Sequence, residues 1–273
     1  MSHRHGDVHR GSGRQSRVTG WLSELLADLL AAFQLLTRLP VARLAKTGAP
    51  ANLARCVWAF PVVGLVVNAI GGFAYWLMYR VGVPPLVAAV WALAVTITVT
   101  GALHDDGLAD TADGFGGGAT SERKLEIMRD SHIGSYGALA LFLSVVARIT
   151  AIAGLTDPIH VLVAFSLAGI LGRGGILVLL LALQPARDDG MGAAISEASI
   201  GHISAGLAVA VIASLAALPT LTALAVIVVA LGVSLAVAKL ARDQIAGYTG
   251  DVLGAGEGMI ECVVLTVAAS LIA

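Results

Sequence analysis

The sequence predicts an all-α polytopic integral membrane protein with about seven transmembrane helices and an N-terminal amphipathic helix. Hydrophobic residues make up 57% of the 273 residues, and the mean hydropathy is +0.86. Only 13% of the residues are charged, and several apolar runs reach the roughly 18 residues that a membrane-crossing helix needs. This composition exceeds what the core of a soluble protein requires.

The first two elements are a polar tail and an amphipathic segment. Residues 1–20 are polar, basic and glycine-containing and lack the apolar stretch of a signal peptide, so we predict a disordered cytosolic tail. The remainder, 21–273, is predicted to be a single membrane-embedded domain. Its first segment, 21–40, has apolar residues at helical spacing, interrupted by Glu24 and Asp28. We expect a helix in the interface plane, with a short or re-entrant membrane helix as the alternative.

Apolar runs then predict seven crossings. The run 204–238 is too long for one crossing, and Pro219 near its middle removes a backbone donor, so we divide it there. The predicted crossings are 56–79, 84–104, 137–155, 159–183, 204–218, 220–238 and 258–272.

Basic residues are distributed unequally between the two sides of these crossings. With the N-terminus inside, 14 of the 17 Lys and Arg residues fall in the tail or the inner loops, and only Arg80 falls outside. The positive-inside rule therefore predicts that the N-terminus and the polar loops are cytosolic. Arg148 and Arg173 lie within crossings, where a charge is costly, so each should face a partner or a cavity. No basic patch indicates nucleic-acid binding, and the two cysteines indicate neither a disulfide nor a metal site.

The stretch 104–114, HDDGLADTADG, concentrates aspartates at the inner end of the second crossing. On a continuous helix Asp106, Asp110 and Asp113 share one face, while Asp105 points elsewhere. Three carboxylates on one face repel one another unless a cation lies between them, and oxygen ligands suit Mg²⁺. A solvated helix end is the alternative, but the small and apolar residues between the three aspartates argue against it.

Two further segments carry acids and arginines. In 122–137, Glu126 and Asp130 are one turn apart beside Arg129, which either binds phosphate or anchors the helix at the membrane edge. The last inner loop is glycine-rich; it is either part of the site or a plain reverse turn, and it carries Arg242, Asp243, Asp251, Glu257 and Glu261. Carboxylates for a cation and arginines for phosphate oxygens together predict a phosphoryl- or nucleotidyl-transfer site.

Five motifs in this order resemble the cobalamin synthases, the adenosylcobinamide-GDP ribazoletransferases. They are TRLPV (37–41), FPVVG (60–64), HDDGLADTADG (104–114), LEIMRDSHIGSYGALAL (125–141) and GYTGDVLGAGEGMIE (247–261). The family pattern H-x-D-G-L-A-D-x-x-D-G is matched by His104, Asp106, Gly107, Asp110, Asp113 and Gly114. Asp105 falls on a variable position and inherits no role, and His132 stands where an arginine is common.

The resemblance implies a magnesium-dependent phosphotransferase in the bacterial cytoplasmic membrane. Such enzymes join adenosylcobinamide-GDP to α-ribazole, or to its 5′-phosphate, and release GMP in the last assembly of the nucleotide loop of cobalamin. Residues 21–273 would then form the catalytic domain, and an oligomer is compatible with this architecture.

Roles follow for individual residues. We expect Asp106, Asp110 and Asp113 to hold Mg²⁺, with Asp130, Asp251, Glu257 and Glu261 as weaker metal candidates. Arg129, and with less support Arg38 and Arg242, would bind substrate phosphate. The acceptor hydroxyl loses its proton to Asp113 or His104, between which the sequence does not choose.

Two other functions remain open at this stage. Asp110-x-x-Asp113-Gly114 resembles the opening of the CDP-alcohol phosphotransferase motif of phospholipid synthases, but Phe115 and glycines replace its Ala-Arg continuation. A cation-coupled transporter would also have many helices with intramembrane charges. Transporter sites usually lie near the midplane between repeated halves, whereas these acids lie at one edge and the sequence has no internal repeat.

Overall fold

The computed structural model describes residues 12–44 and 52–272, which form an all-α protein as predicted. Within these ranges the only β pairing is an isolated bridge between Pro185 and Tyr248. Short 3-10 turns cover Val41–Leu44 and Val57–Ala59. The α-helices are α1 (Ser12–Leu36), α2 (Leu53–Cys56), α3 (Phe60–Arg80), α4 (Pro85–Thr100), α5 (Leu103–Gly117), α6 (Ser121–Ile127), α7 (Ser135–Leu155), α8 (Pro158–Ala182), α9 (Gly190–Ala194), α10 (Ile200–Ala217), α11 (Thr220–Ile245) and α12 (Gly250–Ile272).

The long helices are membrane-spanning by length and composition. In the described part of the chain six of them qualify, and the bent pair α4 and α5 makes a seventh if it counts as one crossing. The expected number of about seven is therefore confirmed with that pair included. The six are Leu53–Arg80, Ser135–Leu155, Pro158–Ala182, Ile200–Ala217, Thr220–Ile245 and Gly250–Leu271.

The second crossing differs from its prediction as one helix over 84–104. The chain bends by 88° between α4 and α5. Gly101 (φ 64°) and Ala102 (φ 59°) both adopt the left-handed conformation, which ends α4. A side chain at Gly101 would meet Arg38, so glycine is needed there for both conformation and space. The aspartates consequently lie on a separate helix, α5, that is steeply inclined to α4.

The helix boundaries that were predicted most accurately are those set by prolines and capping residues. α10 ends at Ala217 and α11 begins at Thr220, so the division at Pro219 is confirmed. At the start of α8 the Asp157 side chain accepts hydrogen bonds from the amides of Ile159 (2.7 Å) and His160 (3.3 Å).

Helix α8 is the central helix of the bundle. Its apolar window is 83% buried within the protein, compared with 22% for that of α10. α3 packs against it so closely that a Cβ atom at Gly64 would collide with the carbonyl group of Gly169. Small residues at a helix contact are typical of membrane bundles, where close backbone approach replaces the hydrophobic driving force.

Helix α12 begins at Gly250, so the prediction of a loop up to residue 257 is wrong. Its glycines allow close packing rather than a turn: a Cβ at Gly254 would lie 3.3 Å from the Cα of His104 on α5. Likewise, a Cβ at Gly107 on α5 would lie 2.7 Å from the carbonyl oxygen of Asp251. The acids of this segment therefore lie on a rigid helix beside the aspartates of α5.

Helix α1 begins at Ser12, so residues 12–20 are helical and not part of a disordered tail; residues 1–11 of that predicted tail lie outside the described residues. α1 is not among the spanning helices. Arg55 on α2 contacts both interrupting acids, Glu24 at 3.3 Å and Asp28 at 3.1 Å. These ion pairs attach α1 to the bundle.

The polar segments that follow α5, α8 and α11 lie at the same end of the bundle. The distribution of Lys and Arg residues between the loops predicts this arrangement. Arg187, after α8, contacts Asp251 at the start of α12 (3.1 Å). Arg129, after α6, contacts Asp189 before α9 (2.8 Å). One composite site can therefore draw residues from all three segments.

Candidate active site

Asp106, Asp110 and Asp113, which were predicted to share one helix face, all lie on α5, and their exposure decreases along it. Asp106 is exposed, Asp110 is half-buried and Asp113 is buried. Asp110 is near enough to Asp106, Asp113 and Asp251 to be repelled by their charges. In the described part of the chain, neither Asp106 nor Asp110 has a side-chain hydrogen bond or ion pair. These two carboxylates are therefore free to bind a ligand.

Asp113 has a structural contact that the sequence did not indicate. Its Oδ2 accepts a hydrogen bond from the amide of Gly134 (2.7 Å), and its Oδ1 accepts one from the amide of Gly137 (2.8 Å). Both donors belong to the first turn of α7, where unpaired amides favour a carboxylate. This packing requires glycine at both positions, because a side chain at either would collide with Asp113. Asp113 thus holds α7 to α5.

A cavity of about 230 Å³ lies where α1, α3, α5, α8 and α12 converge. Its polar lining consists of His104, Asp106, Arg187 and Asp251. One guanidinium nitrogen of Arg187 donates to Asp251 (3.1 Å), while its Nη1 is buried without a hydrogen-bond partner among the described residues. Thr249 also donates to Asp251 (3.1 Å). A cation and carboxylates therefore border one cavity, as recognition of a phosphate with its metal requires.

His104 lies between this cavity and a second, smaller one. The ring is 6% exposed, and its Nδ1 lies 3.4 Å from the carboxylate of Glu257. Its Nε2 has no hydrogen-bond partner in the described part of the chain. A buried imidazole held on one side by a carboxylate is oriented for proton transfer on the other.

Behind His104 lies a buried cluster of opposite charges. Arg173 contacts Glu257 (2.5 Å) and Glu261 (3.0 Å), and Arg148 contacts Glu261 (3.6 Å) and Asp105. The expectation that both intramembrane arginines face partners is confirmed. Asp105, to which the motif assigns no role, is a counter-ion of Arg148. Glu257 and Glu261, two of the weaker metal candidates, are paired with arginines rather than grouped with Asp106, Asp110 and Asp113.

No group of three or more His, Cys, Asp or Glu side chains within 12–44 and 52–272 is arranged to hold a metal ion by itself. The fit to magnesium rests instead on the unpaired Asp106 and Asp110. Mg²⁺ usually binds one or two carboxylates and completes its shell with water and substrate phosphate. The residues present therefore fit the ion, with a substrate supplying further oxygens.

The sequence of this chain was compared with models of known protein families. The model of the cobalamin-5-phosphate synthase family matches residues 28–269. The chain belongs to this family. The resemblance seen in the five motifs is thereby confirmed along nearly the whole chain.

Curated members of the cobalamin-5-phosphate synthase family are similar over most of their length. A protein of Bradyrhizobium diazoefficiens is 43% identical over 252 residues, covering 92% of this chain and 96% of its own. One of Azorhizobium caulinodans is 40% identical, covering 88% of this chain and 94% of its own. One of Mesorhizobium japonicum is also 40% identical, covering 90% and 93%. All three are named adenosylcobinamide-GDP ribazoletransferase. No solved structure matches this chain significantly.

The three arginines predicted to bind phosphate make contacts outside the cavity lining. Arg129 pairs with Asp189 on the exposed surface, and Arg242 donates to the carbonyl of Ala182 at the end of α8 (2.7 Å). Arg38 packs against Gly101 at the bend. None of the three lines the 230 Å³ cavity. Their assignment as phosphate ligands stays a prediction.

The cavity instead contains Arg187, which no motif or spacing in the sequence indicated. One feature of the sequence does mark it: Arg187 is the only Lys or Arg residue in the segment 184–203. Its relation to Asp251 joins positions 64 residues apart, and no periodicity reveals such a contact. Asp251, one of the weaker metal candidates, does line this cavity.

Asp130, another weaker metal candidate, lies on the exposed loop before α7. Its carboxylate is 2.6 Å from Nδ1 of His132. The hydrogen bond to Asp130 raises the pKa of His132, and the same contact lowers the pKa of Asp130. Asp130 is thus paired within its own loop.

Proposed function

We propose that this chain is an adenosylcobinamide-GDP ribazoletransferase. It would join adenosylcobinamide-GDP to α-ribazole or α-ribazole 5′-phosphate and release GMP, forming adenosylcobalamin or its 5′-phosphate. The observation that carries the proposal is the near full-length match to relatives of that name. The cavity bordered by Asp106, Arg187 and Asp251 supports it, because these groups suit a metal-bound pyrophosphate. A phospholipid synthase and a transporter have no such support.

The reaction requires one phosphorus–oxygen bond to form and one to break. A ribose hydroxyl of the acceptor attacks the phosphorus attached to cobinamide, and the bond from that phosphorus to the bridging oxygen of the pyrophosphate breaks. GMP leaves with the bridging oxygen, and the hydroxyl proton must be accepted. We assign that proton to His104, whose Nε2 has no hydrogen-bond partner among the described residues, rather than to Asp113, whose two oxygens accept backbone hydrogen bonds.

Asp106 and Asp110 would hold Mg²⁺, with Asp251 near both. When bound, the ion neutralises charge that builds on the departing GMP. Arg187 would bind phosphate oxygens through its Nη1, which has no hydrogen-bond partner in the described part of the chain, while Asp251 keeps the guanidinium in place. The three aspartates of this face would therefore have two different roles: Asp106 and Asp110 would bind the ion, whereas Asp113 would position α7 against α5.

Release of GMP tests the proposed function directly. We expect detergent-solubilised protein to form GMP from adenosylcobinamide-GDP and α-ribazole with Mg²⁺, and an excess of EDTA to stop the reaction. GMP is measured by chromatography, with a reaction lacking α-ribazole as control. If no GMP forms with both substrates present, the proposal is wrong; GMP formation that EDTA leaves unchanged contradicts the magnesium assignment alone.

We further propose that the protein lies in the bacterial cytoplasmic membrane with the cavity facing the cytosol. The unequal distribution of Lys and Arg supports this orientation. A cysteine at exposed Glu197 should react with a membrane-impermeant maleimide only after lysis, whereas one at Val81, at the opposite end and 70% exposed, should react in intact spheroplasts. The unsubstituted chain gives the background. Labelling of Glu197→Cys in intact spheroplasts would refute the proposed orientation and indicate the opposite one.

A further inference from the structure

The 230 Å³ cavity is lined mainly by apolar side chains, and six of them are here called its apolar wall. Side chains from α1, α3, α8, α12 and the end of α9 form this wall, and all of them are hydrocarbon. They are Leu35, Leu36, Phe60, Ile176, Ile195 and Leu253. Most are buried within the protein, so the wall is part of the packed interior. A ligand with one apolar and one polar end would match a cavity lined by both kinds of side chain.

The size of the cavity limits which part of a substrate it holds. Pockets that enclose a whole drug-sized ligand measure about 300–1,000 Å³, more than the 230 Å³ found here. The corrin macrocycle of a cobinamide is larger than such ligands and does not fit. A single bicyclic ring system with part of its sugar does fit.

Three bicyclic rings are present in the two substrates of the proposed reaction, and the chemistry of the wall distinguishes them. Guanine and the adenine of the adenosyl group carry donors and acceptors along their edges. Burying these against six hydrocarbon side chains leaves them without partners, which costs free energy for each group. The benzimidazole base of α-ribazole is mainly hydrocarbon, so burying it against the same side chains is favourable.

We infer that the apolar wall binds the base of the acceptor nucleoside, an apolar bicyclic aromatic ring. The inference rests on the proposed function and specifies which substrate the cavity takes. With the ring on this wall, the ribose lies toward His104 and Asp106 of the polar lining. The attacking hydroxyl then faces the groups assigned to the proton and the metal, while guanosine and the corrin ring lie outside the cavity.

Ile195 offers the cleanest test, because it lines the wall from the segment after α9 rather than from a central helix. Ile195→Phe places a larger side chain in the cavity and leaves less room for the ring, and Ile195→Ala removes contact with the ring. We expect Ile195→Phe to raise the KM for α-ribazole at least tenfold and Ile195→Ala about threefold to tenfold. The KM for adenosylcobinamide-GDP should stay within twofold. Ile212→Phe, on an exposed face of α10, is the matched control and should change neither KM.

Binding is measured separately from turnover by the rise in Tm that α-ribazole alone produces. We expect this rise in the unsubstituted protein and in Ile212→Phe, and its loss in Ile195→Phe; Ile195→Ala serves if Ile195→Phe does not fold. A rise in the KM for adenosylcobinamide-GDP alone would place guanine on the wall and overturn the inference. Unchanged values for both substrates would overturn it as well. Stabilisation by α-ribazole without GMP release would retain the binding site and refute the proposed function.

Discussion

Replacing Asp110 by asparagine is expected to lower the rate of GMP release by about 10²–10³-fold without lowering the Tm. The side chain keeps its size, but it loses the negative charge assigned to the metal. Asp106, Asp113 and Asp251 all repel a charge at position 110, so its removal relieves repulsion in the folded protein. Loss of activity with equal or greater stability is typical of a residue kept for function. Initial rates of GMP formation and Tm in detergent measure the two effects.

Two aspartates serve as comparisons for Asp110→Asn. Asp243→Asn removes an exposed charge that pairs with Lys239, and it should change neither rate nor Tm. Asp113→Asn should lower the Tm, because an asparagine accepts only one of the two backbone hydrogen bonds and presents a donor to the other amide. Near-normal GMP release by Asp110→Asn would refute the metal assignment, and an Asp113→Asn protein as stable as the unsubstituted chain would refute the capping role.

Replacing Arg173 by methionine is expected to destabilise the bundle by about 3–5 kcal/mol, which corresponds to a fall in Tm of roughly 10 °C. The guanidinium is 2% exposed and contacts the carboxylates of Glu257 and Glu261. Methionine has similar volume, so the change leaves two buried carboxylates with less positive charge rather than a cavity. The apparent Tm at a fixed heating rate measures this effect.

A second substitution separates charge from packing. In Arg173→Met/Glu257→Gln one of the uncompensated carboxylates is neutral, and we expect part of the lost Tm to return. Arg123→Met is the control, because its pair with Glu126 is exposed on both sides and contributes little. If Arg173→Met has the Tm of the unsubstituted protein, or the double variant is the less stable of the two, the cluster does not stabilise the fold through its charges.

Much of the fold could be predicted because membrane helices are specified by local composition. The division at Pro219 and the ends of α7 and α8 follow from proline, capping residues and the length of apolar runs. Two of the errors concern glycine. Gly101 ends α4 in the left-handed conformation, whereas the glycines of 250–258 continue a helix. Glycine is compatible with a turn and with close helix packing, and only the neighbouring helix decides between them.

The site could be predicted in part for a similar reason. The spacing within 104–114 places Asp106, Asp110 and Asp113 on one helix without knowledge of any other element. Nothing in that spacing reveals that Asp113 faces the amides of Gly134 and Gly137, or that Asp105 faces Arg148. These contacts depend on where α7 lies against α5.

The sequence by itself determined the membrane class, the family and the helix that carries the aspartates, because these depend on composition and on residues within a few turns. The tertiary structure decided the partners. It joined Arg187 to Asp251, placed His104 beside Glu257 and brought apolar and charged side chains together around one cavity. Such groups are far apart in the chain, and their free energy of interaction depends on distance and burial that only the packed helices fix.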